Sequence, residues 1–533
     1  MRNIFLFFIT ITNLTFCQSI DDSFPSSKMK KDLAIFKDIR LKVNSGLYKY
    51  RTKQQIDSIY NWAENEIEKS STYLEFYNII CKLTDFEGSC HNNTNFPSKY
   101  WKDLRKETYG YFPYPIKWID GKWIVNFDNG EIPLGVEIIS INQIKIDQII
   151  ENLYKYYTTD GINITGKRIG LRTHFARYFR WHYGLTKEFE IKYLEPKSNK
   201  IKTEKLTSIS YLGYYKNFRF RYSKPTDQAY YKDLKENEKY NYKKIDSLTS
   251  VLKLNSFAIG GNAKSSEHLK FVKYLDSLFI EIKNNKIANL IVDIRNNSGG
   301  TDPNELVLYE YLSNRNFSEN KSAWISFQKI PYIKYIETKV PRFLRPLGVI
   351  KYNKYFKKEF SLNKNGKFYQ NSFSEDHKIR VPNKNAFNGD IYLLINPTVA
   401  SAASNFGALL GSNDNTTIIG EETMGGYYGH NGHTPMSYIL PNSKIKTTFS
   451  IVNLEQYVIK KPKQIYGRGI IPDLNINQTF NDYLNHEDTQ INFTINLIEK
   501  KKIETLLGST NNLHLVLFEN STPNVYLQSR QIY

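Results

Sequence analysis

Apolar residues recur at three- and four-residue spacing from Ser27 to about Thr84, through Leu33, Ile35, Phe36 and Ile39 and again through Ile56, Ile59, Tyr60 and Trp62. That period is one face of an α-helix and predicts an N-terminal helical segment. LEFYNIICKLTDF, from Leu74, continues it and ends at Glu87-Gly88-Ser89-Cys90-His91. Between Phe112 and Leu194 the pattern shortens to strands. KWIDGKWIVNF sets an Asp-Gly turn between two β-rich runs, a hairpin signal. IPLGVEIISINQIKI alternates around a turn at Gly135, and DQIIENLYKYY reads as a helix.

From about Ser198 to Leu248 the text is polar, rich in Lys and Tyr and without period, which predicts a linker or insertion. SVLKLNSFAI then reads as a strand, and SSEHLKFVKYLDSLFIEIKNN as an amphipathic helix through Leu269, Val272, Leu275, Leu278 and Ile282. ANLIVDIRNNSGG is a nearly all-apolar strand running into a Gly-rich turn, so the three together predict a parallel crossover unit. A basic, aromatic insertion occupies about 321–384, after which the strand IYLLINP, a helix, the strand TTIIGEET and a Gly-rich loop return to the core. The chain is thus expected to be multidomain α/β: 1–17 a leader, 18–100 helical, 101–197 β-rich, 198–248 a linker, 249–480 the main α/β domain, and 481–533 a C-terminal helix and tail.

At 533 residues the chain exceeds what one core usually supports, and 40% hydrophobic with 24% charged residues is ordinary for a globular protein. The net charge of +20 comes from Lys scattered throughout, without the basic motif of a nucleic-acid-binding module, so a solvated surface is expected and no nucleic-acid partner. The first residues carry Arg2 and then an apolar run from Ile4 to Phe16, too short to span a bilayer and matching a secretory leader. Simple export, to the periplasm or beyond, is the reading. The alternative is a lipoprotein acylated at Cys17, for which Phe16 is bulky where a small residue is wanted. No later segment is apolar enough for a membrane span. Cys81 and Cys90 remain, and in an oxidising compartment they have the option of one disulfide.

Three separated texts suggest one reactive centre. In IYLLINPTVASAASNFGALLG, Ser401 stands where a helix follows a buried strand, near the positive end of that helix. An N-cap is the plainer role for such a Ser. In LIVDIRNNSGGTDP, consecutive glycines let backbone amides approach a ligand, as a tetrahedral oxyanion needs, although a tight turn also explains them. IIGEETMGGYYGH offers a further Gly-rich loop.

In this order the three texts resemble the C-terminal processing peptidase superfamily, which includes the tail-specific proteases and the tricorn core protease. The likeness runs from Val251 to Asp473, where YGRGIIPD is similar to the closing Gly-x-x-Pro-Asp element. The β-rich text before it resembles a PDZ domain, which captures extended peptides by strand addition. The resemblance implies a crotonase-like serine peptidase domain with Ser401 as nucleophile and an oxyanion hole from Gly299 or Gly300 and the Ala402 amide. The tail-specific branch has a Lys in Gly-x-x-Thr-x-Gly-Lys. The matching text is Gly420-Glu421-Glu422-Thr423-Met424-Gly425-Gly426, so Gly426 occupies the Lys position and the Ser–Lys dyad is absent.

The tricorn-like branch takes a His from the segment before the PDZ-like domain, which makes His91 the expected general base, with His430 and His433 as competitors. Glu455 is the nearest upstream carboxylate to serve as third group, because the family's acid position falls on Tyr466. Ser404 replaces the Glu that often follows Ser-Ala-Ala. The expected activity is hydrolysis of extended or unfolded polypeptides, with no cofactor and no metal. The alternatives are a catalytically silent peptide-binding relative and a polyanion-binding protein.

Overall fold

The computed structural model describes residues 19–128, 130–195, 198–222 and 234–509. The expected leader with Cys17, and the tail beyond 509, lie outside the described residues. Residues up to Gln490 form one unit, and the described residues after it continue the helix Thr489–Ser509. No helix among the described residues is long and apolar enough to cross a membrane.

The helical period at the N-terminus becomes the helices Ser26–Val43, Lys53–Lys69 and Tyr73–Phe86. The last two start at reciprocal capping boxes, Thr52 with Gln55 and Thr72 with Glu75, which satisfy orphan donors at each helix start. Their apolar faces do not close a core alone. They share one cluster with the next layer, an antiparallel sheet in the order Ile116–Ile119, Lys122–Val125, Glu137–Ile141, Glu188–Glu195, Lys200–Thr207. The expected hairpin is present, with Asp120 and Gly121 both at positive φ, 49° and 76°, as its two-residue turn requires.

The main α/β domain is built on a six-stranded sheet in the order Leu474–Asn475, Thr416–Gly420, Asp390–Ile395, Asn289–Asp293, Thr249–Leu254, Tyr240–Lys244. It is parallel except for the antiparallel edge strand Tyr240–Lys244. Every residue of Asn289–Asp293 is buried, which explains why that strand is apolar without alternation. The helix Ser266–Asn284 makes the expected crossover, and Asn304–Glu310 and Ala402–Gly411 pack on the same core.

Three expectations change. The supposed linker 198–248 carries the strand Lys200–Thr207, the helix Tyr211–Arg219 and the edge strand Tyr240–Lys244. Its sheet residues face solvent on both sides of the edge, so no apolar alternation marks them. Within the region read as strands lies the helix Lys167–Tyr183, whose charged and aromatic residues surround it without an apolar stripe. The insertion at 321–384 is not a mere excursion. It supplies three strands of a four-stranded sheet that pairs with Asn453–Gln456, and its core includes Ile39 and Val43 of the first helix.

One buried ion pair pins the segment bearing His91. Arg40 is fully buried between the rings of Phe36 and Phe449, with its guanidinium carbon 4.7 and 3.9 Å from their centroids, and its Nε lies 2.9 Å from Glu87 Oε1. Glu87 follows the helix Tyr73–Phe86 and accepts hydrogen bonds from Asn92 at 2.7 Å and Asn44 at 3.1 Å. Burial pushes its carboxyl up to about 7 despite the Arg40 charge. Removing one partner strands the other charge, so Glu87→Gln is expected to cost about 3–5 kcal/mol in urea unfolding. The double variant Arg40→Met, Glu87→Gln is expected to lose less than that single change.

Candidate active site

The strand Asp390–Ile395 ends at Asn396, whose side chain accepts from the Asn296 amide at 2.9 Å and donates to Asn296 Oδ1 at 2.9 Å. This ties the ends of two neighbouring parallel strands, and Ser401 follows on a sharp turn. Its φ of 54° and ψ of −133° are a conformation usually reserved for glycine. Ser401 occupies the N-cap position of Ala402–Gly411, yet its side chain makes no capping hydrogen bond. The plain capping role is thereby removed. Ser404 instead uses its hydroxyl to bond the Ser401 carbonyl at 2.8 Å.

The Gly-Gly turn lies directly against this elbow. At Gly299, φ is 106°, and an added methyl would stand 2.8 Å from Ser401 Cβ and 3.1 Å from the Ala402 nitrogen. The Gly299 amide already donates to Asn297 Oδ1 at 2.9 Å. The Gly300 amide has no acceptor among the described residues, while its neighbours are held by Phe257 N donating to Gly299 O and Thr301 N donating to Phe257 O, both at 3.1 Å. Ala402 opens the helix, where an amide has no intrahelical acceptor. Between the two glycines, then, Gly300 has the uncommitted donor.

The loop Gly420–Gly429 lies along the same turn. Met424 N donates to Pro397 O at 3.2 Å and Gly425 N to Val399 O at 3.0 Å. A Cβ at Gly425 would strike Ser404 Oγ at 2.3 Å, which explains a glycine there. The other side of the loop meets Asp160. Met424 O accepts from the Asp160 amide at 3.2 Å, Gly426 N donates to Asp160 Oδ2 at 3.1 Å, and Cys90 N donates to Asp160 Oδ1 at 2.9 Å.

His91 stands beside that carboxylate. One ligand-type atom each from Cys90, His91 and Asp160 lie within 4.8 Å of one another, and His91 Nδ1 is 3.3 Å from Cys90 Sγ. Burial lowers the His91 pKa below its ordinary value, partly offset by Asp160. The trio has metal-ligand chemistry, but both Asp160 oxygens are engaged by backbone amides. Burial also pushes the Cys90 thiol up, away from the thiolate a metal needs. An imidazole favoured neutral by burial, with a carboxylate within 4.8 Å, is the better description.

His430 stacks on His91 at 5.7 Å between centroids, its Nδ1 buried without a partner, and burial holds its pKa well below the ordinary value. His433 bonds Thr434 at 2.8 Å. No hydrogen bond joins Ser401 to any of the three histidines among the described residues. Glu455 is exposed on Asn453–Gln456. Its charge acts on Lys49 and Tyr466, and buried Lys49, pushed down to about 8, donates to Leu454 O at 2.7 Å. The structure therefore brings Asp160, not Glu455, to His91. Asp160-Gly161 reads in the sequence as an ordinary turn, and its only signal is the polar run Thr158-Thr159-Asp160-Gly161. Tyr466 is half exposed, and its ring lies tilted against that of Tyr50 with centroids 5.6 Å apart.

Cys81 and Cys90 are free thiols, so the optional disulfide is not formed. Both line a cavity of about 350 Å³ with Lys155, Arg177, Trp181 and Met424. In the closing element, Asp473 Oδ2 accepts from Ile418 N at 2.9 Å, which ties it to the strand Thr416–Gly420. Gly469 lies so close to Thr423 that a Cβ would meet its carbonyl at 1.8 Å.

Solved structures share this fold. Mature CPAF complexed with lactacystin matches with a TM-score of 0.54 and 14% identity over 86% of this chain and 97% of that one. A CPAF mutant matches with a TM-score of 0.57 and 12% identity over 92% and 99%. No curated protein matches the chain. Residues 249–476 match the model of peptidase family S41, the segment that carries the Ser401 elbow, the Gly-Gly turn and the closing Gly-x-x-Pro-Asp element. The segment 249–476 is thus similar to the serine-type peptidases of family S41, and the chain shares the fold of those solved structures.

Proposed function

We propose that the chain is an exported serine endopeptidase acting on extended or unfolded polypeptides, with Ser401 as nucleophile and His91 as general base. The observation that carries this reading is the elbow: a serine at a glycine-like backbone conformation, free of capping duty, packed against Gly299 and next to Ala402 at the helix start, with the uncommitted Gly300 amide following in the same turn. In the reaction Ser401 Oγ attacks the scissile carbonyl and its proton passes to His91. The amides hold the tetrahedral oxyanion, and His91 returns the proton to the leaving amine. Water then attacks the acyl-enzyme by the same route in reverse. In the free protein such Ser–His contacts are often open and tighten with substrate bound.

Asp160 takes the place of the third group. Its two amide bonds fix the carboxylate, and a fixed carboxylate orients the imidazole and stabilises its protonated form. The antiparallel sheet 116–207 is read as the PDZ-like module, whose edge engages the substrate by strand addition.

Fluorophosphonate labelling and casein digestion of the purified mature protein test the reading together. Ser401→Ala and His91→Ala are each expected to lose labelling and to lower kcat/KM by about 10³-fold or more. Retained cleavage in Ser401→Ala would sink the proposal. A folded wild type that neither labels nor digests casein would favour the silent peptide-binding alternative.

The two carboxylates separate cleanly. Asp160→Asn is expected to lower kcat by about 10²-fold or more, whereas Glu455→Ala stays within about twofold. The acid limb of the kcat/KM profile is expected below the ordinary His value of about 6.5, because a buried imidazole stays neutral to lower pH. Asp160→Asn removes the charge that raises the His91 pKa, so its acid limb should move lower still.

The elbow conformation has its own thermodynamic signature. Ser401→Gly relieves the strained backbone and Ser401→Ala does not, so the Gly variant is expected to be more stable than the Ala variant by about 1–2 kcal/mol in urea unfolding.

A further inference from the structure

A second constellation lies just beyond the Gly-Gly turn. Asp302, Glu305 and Glu319 each place a carboxylate oxygen within 4.8 Å of the others. That span matches two opposed ligands at about 2.4 Å from one calcium ion. Three separate elements supply them: the turn after Gly300, the helix Asn304–Glu310, and the residue before the strand Asn320–Ile325.

The decisive member is Glu305. It is 0% exposed, and no nitrogen or hydroxyl donor among the described residues reaches either of its carboxylate oxygens, which face only the other two acids, Asp302 close enough to share a proton with it. A buried carboxylate without a donor costs free energy unless a cation or a proton neutralises it. Arg380 acts on Glu319 only through its charge, and its Nη1 pairs with Glu310 at 2.7 Å. A fourth acid, Asp376, adds negative charge at Glu319 and itself accepts from Gln370 at 2.6 Å. Burial and mutual repulsion push both Glu305 and Glu319 well above the carboxylate range. Asp302, by contrast, is exposed and gives an ion a path from solvent.

We propose that Asp302, Glu305 and Glu319 form a binding site for one calcium ion that fastens the Gly-Gly turn to the 320–325 strand. Hard carboxylate oxygens with no sulfur or imidazole among them select a hard cation. Three ligands from three segments, open to water at Asp302, suit the loose coordination of calcium better than the strict octahedron of magnesium. The site stands apart from the peptidase reading, and ion binding reports on it directly. The sequence pattern shows no such site because the acids are spread over 302–319 in no loop motif.

The test uses the full chain, stripped with chelator and dialysed, in calorimetric titrations with calcium chloride and with magnesium chloride, beside thermal melts. One equivalent of calcium is expected to bind in the range of about 10⁻⁶–10⁻³ M, with magnesium at least about tenfold weaker. At saturating calcium the melting temperature is expected to rise by about 5 °C. Glu305→Gln and Asp302→Asn should each weaken calcium binding by about tenfold or more, and the exposed position of Asp302 keeps that variant foldable. Absence of calcium heat and of any melting shift up to 10 mM (roughly ten times the weakest expected constant) would overturn the proposal in favour of carboxyls that share protons. Equal binding of magnesium, or unchanged affinity in both variants, would overturn it as well.

Discussion

Asp160 accepts the Cys90 amide on one oxygen and the Gly426 amide on the other, while its own amide donates to the Met424 carbonyl. The three bonds join the loop after the N-terminal helices, the segment between the sheet strands Glu137–Ile141 and Glu188–Glu195, and the Gly-rich loop of the α/β domain. Charge-assisted bonds to backbone amides are among the stronger neutral-pH interactions available to a carboxylate. Fixing the carboxylate also fixes what stands beside it, and that is His91. The Gly-rich loop in turn lies along the Ser401 turn through Met424 and Gly425. The distance from His91 to Ser401 is thus set by a chain of backbone contacts rather than by the histidine side chain alone.

The glycines around Ser401 follow from the same crowding. Gly299 and Gly425 approach the turn so closely that a methyl on either would meet Ser401, Ser404 or the Ala402 amide. Small residues at 400, 402 and 403 are needed for the same reason, since the helix Ala402–Gly411 is buried along its whole length. A strained serine persists only where its surroundings over-determine it. Here the knot of Asn296 with Asn396 holds the strand ends, and the helix holds the other side.

Much of this was legible in the sequence where the signal is local or periodic. The apolar strand 289–293, the crossover helix 266–284 and the Ser401 turn each announce themselves through consecutive residues. The helix Lys167–Tyr183 does not, because its faces meet partners on nearly all sides and no stripe remains. Asp160 is illegible for a different reason: its role exists only after three distant segments meet, and an Asp-Gly pair is what any turn would show. Glu455 illustrates the converse, being near in sequence to the expected acid position yet exposed and engaged electrostatically with Lys49. Position along the chain is a poor guide to which carboxylate reaches an imidazole.

Burial acts in opposite senses on the two kinds of group that line this region, and that asymmetry gives the site its chemistry. Desolvation favours the neutral form of both, lowering His91 and raising Glu305, Glu319 and Glu87. A neutral histidine is a competent base, so burial alone prepares it. A neutral glutamic acid is a weak ligand and a poor counter-ion, so each buried acid needs a partner to stay charged. Glu87 has Arg40, and Asp160 has two amides. The Glu305 oxygens meet neither cation nor nitrogen or hydroxyl donor among the described residues, and an ion entering past Asp302 supplies what the fold withholds.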